Sequence, residues 1–176
     1  MNGELVSIIV PVFNAERFIE ETIKCVQNQT YKRWELILVN DCSNDKSEEI
    51  IKSFSKNDKR IKLINNKTNS KAAISRNNGI KEAKGRFICF IDADDKWELS
   101  KLEKQIKFMK EMKCAFSFTS YEFADEKCIP NGKKVIVPEK INYKQALKNT
   151  TIWTSTVMFD MNKLTKNDIY MPNVAR

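Results

Sequence analysis

Asp92-Ala93-Asp94-Asp95 follows directly on an apolar run, Phe87-Ile88-Cys89-Phe90-Ile91. Three carboxylates this close repel one another unless a cation or a hydrogen-bonding partner compensates. A divalent ion with oxygen ligands, Mn2+ or Mg2+, is the simplest compensation. Held there, it would bridge a diphosphate and neutralise the charge that group gains on leaving. The alternative is an acidic loop capping the next helix; a place at the end of a buried strand argues for the metal. Asp41 closes a second expected strand, Glu35-Leu36-Ile37-Leu38-Val39-Asn40, where its carboxylate can accept from a nucleobase N–H or a ribose hydroxyl, a reading we prefer over a helix cap or Asx turn. Asp45 follows in a polar loop, as either a ligand or a helix cap. Arg76-Asn77-Asn78-Gly79 sets poor helix formers inside a helical pattern. Such a local rule break marks a site. Arg76 there would contact a phosphate or pair with an aspartate.

These residues need a scaffold, and the pattern predicts one. Strands are expected over 6–10, 35–40, 60–64 and 86–91, and helices over 15–29, 44–54 and 71–83. Asn14 is the expected cap of the first helix, Ser43 or Asn44 of the second, and Gly85 ends the third. Strands apolar throughout and separated by helices argue for a doubly wound, mostly parallel α/β sheet with helices on both faces. Such a sheet binds its ligand at the carboxyl ends of its strands, where the winding reverses. An assumed order 3-2-1-4 makes the ends of strands one and four neighbours. Beyond 96 the alternation weakens. A helix is expected over 99–112 with Leu102, Ile106, Phe108 and Met109 inward, and a strand over 116–123. That strand would return over 134–137 through an Asn131-Gly132 turn. A short helix over 143–148 and a strand over 155–159 complete the expectation. We read 1–176 as one domain, with 1–95 its nucleotide-binding half and 96–176 the start of an acceptor half.

Composition narrows the chemistry. The 176 residues carry a net charge of +8, which favours anionic partners. The lysines are scattered and not interleaved with aromatics, so nucleic acid is not expected. With no histidine, His-ligated metals and His-based nucleophile activation are excluded. The five cysteines are widely spaced with no C-x-x-C pair, as suits reduced thiols in the cytoplasm. The N-terminus lacks a signal-peptide pattern, and no run approaches the ~20 apolar residues of a membrane span. Peripheral attachment to the inner face of a membrane stays open. Only four glycines are present, and they form neither a P-loop nor a G-x-G-x-x-G, against nucleotidyltransferases and dinucleotide oxidoreductases.

Four segments in order resemble family 2 glycosyltransferases of the GT-A fold. Val6-Ser7-Ile8-Ile9-Val10-Pro11-Val12-Phe13-Asn14 is similar to that family's opening strand and nucleotide loop. Trp34-Glu35-Leu36-Ile37-Leu38-Val39-Asn40-Asp41-Cys42-Ser43-Asn44-Asp45 resembles its second strand with the base-binding aspartate. Ser75-Arg76-Asn77-Asn78-Gly79-Ile80 matches its Ala-Arg-Asn-x-Gly segment, and 87–95 the strand leading into its Asp-x-Asp motif. The resemblance implies that Pro11, Val12, Phe13, Asn14, Glu16, Asp41, Arg76, Asp92 and Ala93 contact the nucleotide. It implies that Asp94, with Asp92, holds Mn2+ or Mg2+. It further implies an inverting, single-displacement transfer from a nucleoside-diphosphate sugar, a UDP-sugar in the first place, to a glycan or lipid-linked glycan. The alternatives are a nucleotide-sugar-binding fragment without activity and an Asp-x-Asp phosphatase, whose motif would instead end the first strand. Three positions depart from the family: Phe13 stands where Tyr is common, and Cys42 and Ser70 where Gly is common. The family's catalytic aspartate is expected beyond Arg176, so the chain reads as truncated. Asp160 and Asp168 do not fit that aspartate's pattern. Trp153, Thr154 and Ser155 are candidates for the acceptor side, with core packing the expected role of Trp153.

Overall fold

Val6–Val12 forms β1, buried along nearly its whole length, and Trp34–Asn40 forms β2, buried throughout. Strands this apolar can only sit in the middle of a sheet covered on both faces. The computed structural model describes residues 3–125, 128–148 and 152–173. Between and after these two strands run α1 (Ile19–Gln27), α2 (Ser47–Asn57), β3 (Ile61–Asn65), α3 (Lys71–Glu82) and β4 (Phe87–Phe90). Then follow α4 (Lys101–Glu111), β5 (Phe116–Ser117), β6 (Tyr121–Ala124), β7 (Pro130–Val135), α5 (Tyr143–Lys148) and β8 (Met158–Asp160).

The main sheet has the order β3-β2-β1-β4-β8-β5. The first four strands are parallel, so the assumed 3-2-1-4 order holds, and β8 joins β4 antiparallel. Side-chain alternation sorts the core into two layers. Ile8, Val10 and Leu36 point to α1, α2 and α4, packing on Ile19, Ile23, Ile51, Leu102 and Met109. Ile9, Ile37 and Phe90 point the other way, to Ile80 of α3 and to Val157 and Ile169.

Several boundaries differ from expectation. The first helix starts at Ile19, and residues before it form turns. Asn14 is therefore no cap; it holds φ 49° and its side chain accepts from the Asn44 N–H at 2.8 Å. The second helix starts at Ser47, so neither Ser43 nor Asn44 caps it. Asp45 turns into its first residue instead, accepting from the Ser47 N–H at 3.0 Å. Phe108 is 41% exposed, and its expected inward place is taken by Gln105, whose amide bonds Ser117 and the Thr156 carbonyl. The expected strand over 116–123 is two strands in two sheets, because β6 leaves the main sheet to pair with β7. Asn131-Gly132 lies inside β7 and not between the strands. The expected strand over 155–159 begins as a single helical turn, Thr154–Thr156, before β8.

Candidate functional site

A cleft of about 550 Å³ opens at the carboxyl ends of β1 and β4. Its lining includes Pro11, Val12, Phe13, Asn14, Asp41, Arg76, Asp92, Ala93 and Asp94. Of the positions expected to contact the nucleotide or the metal, all but Glu16 thus meet in one place, from the end of β1, the loops after β1, β2 and β4, and helix α3. Glu16 turns away, accepting from the Lys46 N–H at 2.9 Å at the start of α2.

The loop after β1 is tied to the loop after β2 by a lattice of short bonds. Asn14 N–H donates to Ser43 Oγ at 3.1 Å, Ala15 N–H to Ser47 Oγ at 2.8 Å, and Glu16 N–H to Asp45 Oδ2 at 2.9 Å. Asp45 is held below its ordinary pKa: burial pushes it up, but the hydrogen bonds from Ser47 and Glu16 outweigh that. Between its capping and ligand roles, Asp45 takes the first. This lattice leaves the Phe13 ring 52% exposed at the cleft.

Asp41 is buried, and its carboxylate joins three segments. Oδ1 accepts from Asn66 Nδ2 at 2.7 Å and from the Ser70 N–H at 2.8 Å, and Oδ2 accepts from the Lys71 N–H at 2.7 Å. The carboxylate therefore also caps α3, satisfying N–H groups that a helix start leaves free. Each carboxylate oxygen has two acceptor sites, so Oδ2 keeps one for a ligand. The same arrangement brings Asn69, Lys71 and Ala72 to the cleft wall. Sequence reading passed over these three, since only the course of the 66–70 loop around Asp41 delivers them.

In α3 each poor helix former has a partner. Arg76 donates from Nη2 to Asp92 Oδ1 at 2.5 Å. Its Nε is buried without a hydrogen-bond partner. Asn77 clasps the backbone of Met171, donating to its carbonyl at 2.7 Å and accepting from its N–H at 2.9 Å. Asn78 donates to Asn66 Oδ1 at 2.9 Å. Gly79 lets the helix approach β1: a Cβ there would lie 2.4 Å from Ile9 Cγ2.

The 92–95 loop is held from both sides. Thr22 of α1 donates to the Ala93 carbonyl at 2.7 Å. The Asp92 N–H donates to Ser155 Oγ at 3.0 Å, while that hydroxyl donates to the Asp95 carboxylate. Trp97 Nε1 in turn donates to the Ser155 carbonyl at 2.8 Å. Asp95 is raised above the usual carboxylate range, first by burial and then by the like charges of Asp92 and Asp94. It is thus a structural partner of Ser155, whereas Asp94 stands exposed at the cleft. Among the described residues no three metal-ligating side chains converge. One exposed carboxylate, with a second shared with an arginine, matches an ion that takes most of its ligands from phosphate oxygens and water, as Mg2+ does.

The order of this sheet, with a cleft at the carboxyl ends of β1 and β4 lined by carboxylates and cations, is that of a doubly wound α/β domain whose ligand site lies at the switch point. The model of "Glycosyl transferase family 2" matches residues 7–171. The chain belongs to that family: it is a glycosyltransferase domain of GT-A fold. It is 44% identical over 170 residues to TuaG of Bacillus subtilis, named as a teichuronic acid biosynthesis glycosyltransferase, covering 97% of this chain and 67% of TuaG. It is 42% identical over 160 residues to the Escherichia coli enzyme WfgD, a UDP-Glc:α-D-GlcNAc-diphosphoundecaprenol β-1,3-glucosyltransferase, covering 91% of this chain and 62% of that one. Among solved structures, S. aureus TarS 1–349 in complex with UDP superposes with a TM-score of 0.73 at 25% identity, over 95% of this chain and 50% of that one. A mannosyltransferase from Pyrobaculum calidifontis, in complex with GDP-Man and Mn2+, shares the fold with a TM-score of 0.68 at 16% identity, over 91% of this chain and 46% of that one. The chain thus spans about half to two thirds of the length of the proteins it matches.

Proposed function

We propose that the cleft binds a UDP-sugar and that the chain supplies the donor site of an enzyme passing that sugar to a hydroxyl of a glycan or lipid-linked glycan. The observation that carries this reading is the convergence of Phe13, Asp41, Arg76, Asp92 and Asp94 on one cleft at the carboxyl ends of β1 and β4. The UDP held by TarS and the UDP-glucose and lipid-linked acceptor in the name of WfgD support the same substrate classes.

In this reading the exposed Phe13 ring stacks on the base, and the open site on Asp41 Oδ2 accepts a base N–H. Arg76 and Lys71 face the diphosphate, and Arg76 also fixes the Asp92 carboxylate. Mn2+ or Mg2+, held by Asp94 with Asp92, supplies positive charge against the diphosphate. Transfer is a single displacement. The acceptor oxygen bonds to the anomeric carbon while the bond from that carbon to the diphosphate oxygen breaks, and the acceptor proton passes to a carboxylate base. One such displacement inverts the anomeric centre. No side chain of this chain is assigned as that base. Asp160 is taken by Arg86, which holds it through two bonds of 3.0 and 2.9 Å, and Asp168 closes a turn on Thr165. A lipid-linked acceptor would be met at the inner face of a membrane, and attachment of the protein there is part of this proposal; no helix among the described residues is long and apolar enough to cross a membrane.

Calorimetric titration of UDP with Mg2+ or Mn2+, and then with EDTA, tests the reading. Binding is expected to be metal-dependent, and Asp94→Ala is expected to lower the affinity in metal at least tenfold, or ~1.4 kcal/mol, with the EDTA curve unchanged. Equal UDP affinity in parent and variant would remove Asp94 from the metal site.

A further inference from the structure

Trp153 is 52% exposed, against its expected place in the core. A large indole left half in water forgoes on the order of 1–2 kcal/mol of burial, so its position calls for a reason. The ring is not loose. It meets Tyr121 edge-to-face, with centroids 6.0 Å apart and planes at 79°. Tyr121 rests in the same way on Phe123, at 5.7 Å and 69°. The Lys133 ammonium lies over the Phe123 ring at 4.9 Å, closing the far side of the stack. Three aromatic rings are thus fixed by one another, with the outermost open to solvent.

The stack stands beside the donor cleft and outside its lining. Thr156 donates to the Trp153 carbonyl through its N–H at 2.9 Å and its hydroxyl at 2.7 Å, which sets Trp153 against the turn holding Ser155. Ser155 grips the Asp92 N–H and the Asp95 carboxylate. Cys128, just ahead of β7, reaches the same loop, its Sγ 3.8 Å from the Asp94 carbonyl. Both elements that carry the stack are therefore anchored to 92–95, the end of the cleft at which a diphosphate would leave.

We infer that Trp153 and Tyr121 form the platform on which the acceptor's sugar ring stacks, presenting its hydroxyl to the donor. The apolar C–H face of a pyranose matches an exposed aromatic face, and polar groups around it fix orientation. The Lys133 ammonium at the end of the stack is a hydrogen-bond donor for a sugar's hydroxyls, whereas the Glu122–Lys134 pair lies on the opposite face of the ribbon. This inference rests on the glycosyl-transfer reading above and names the acceptor residues that reading leaves open.

The test uses the whole chain and a panel of methyl pyranosides: glucoside, galactoside and N-acetylglucosaminide, with and without UDP and Mg2+. Saturation-transfer NMR is expected to show ring C–H contact for at least one of them. Trp153→Ala and Tyr121→Ala are expected to weaken that binding at least tenfold, and Trp153→Phe to keep most of it. UDP affinity is expected to stay at the parent value in all three variants, which also reports that each is folded. No response from any pyranoside in the parent, or an equal response in Trp153→Ala, would overturn the platform. Absence of UDP binding with the pyranoside response intact would instead overturn the donor site and leave the platform standing.

Discussion

Asn14, Cys42 and Lys71 hold φ of 49°, 62° and 66°, and all three border the cleft or the loops that build it. Non-glycine residues in this region cost of order 1 kcal/mol or more and persist where the surroundings over-determine them. Asn14 is a residue type that tolerates the conformation, and its side chain and backbone are both bonded to the 43–44 segment. Cys42 has less in return: a thiol 3.4 Å from the Asn66 carbonyl. Cys42→Gly removes the steric cost while adding unfolded-chain entropy worth about 0.4–1 kcal/mol. A net gain of about 0.5–1 kcal/mol is expected, a rise of roughly 1–3 °C in Tm, with UDP affinity unchanged. A lower Tm in a thermal melt would mean that the thiol contact holds the loop. Of the two departures from family glycines, only Cys42 needs such backbone. Ser70 has φ −114° and its neighbour Lys71 carries the left-handed turn.

At the scale of elements, α3 shows why local rules both revealed and misdescribed the site. Arg76-Asn77-Asn78-Gly79 breaks helix preference, and the break does mark the cleft wall, yet only Arg76 lines it. Asn77 and Asn78 hold the chain at Met171 and Asn66, and Gly79 is a packing residue against Ile9. Helix propensity alone predicts that Gly79→Ala stabilises by about 0.8–1 kcal/mol. The opposite is expected. A methyl 2.4 Å from Ile9 Cγ2 strikes a β-branched side chain with no exposed surface, and it can be relieved only by moving α3 or β1. Overpacking of this kind costs about 1–3 kcal/mol, so, after the propensity gain, a net loss of up to about 2 kcal/mol should appear in urea unfolding, with weaker UDP binding as Arg76 shifts. A stabilised variant would mean that the helix has slack. The strand ends were legible because the apolar runs 36–39 and 87–91 stop just before Asp41 and the 92–95 run. The second half was not, because β5, β6 and β8 have only 2, 4 and 3 residues. Segments so short take their partners from tertiary packing, and their periodicity carries little information.

For the molecule as a whole, with no histidine, carboxylates set the acid arm of stability, and the alkaline arm falls to Lys101 together with Cys25, Cys89 and Tyr31, whose pKa values burial raises. On the acid side, hydrogen bonds from Arg60 hold Asp58 down to about 2. Bonds from Arg86 depress Asp160, and Glu35 is depressed because bonds from Lys62, Ser7 and Lys84 outweigh its burial. Each such group contributes stability that is complete above its unfolded pKa of ~4 and is lost as pH falls through the folded value. On the alkaline side the term has the other sign. Lys101, at the start of α4, is buried with no hydrogen-bond partner for its ammonium, which lies 3.6 Å from the Trp97 ring centroid. Burial lowers its pKa to about 8, opposed only weakly by the nearby Cys89 and Cys25 thiols. The unfolded chain keeps this proton to ~10.4. Lys101 therefore costs stability in full below pH 8, and the cost fades as pH rises from about 8 toward the unfolded value. Contact with the indole returns part of it, on the order of 1–2 kcal/mol for a desolvated pair. Lys101→Met keeps the volume and removes the charge. It is expected to raise stability by on the order of 1 kcal/mol at pH 7 and by much less near pH 10, read from urea midpoints at the two pH values. An equal gain at both would mean that titration of the ammonium is not the cause. A loss at pH 7 would mean that its attraction to Trp97 outweighs burial, making Lys101 a brace for the indole that supports Ser155 and, through it, the Asp92 loop.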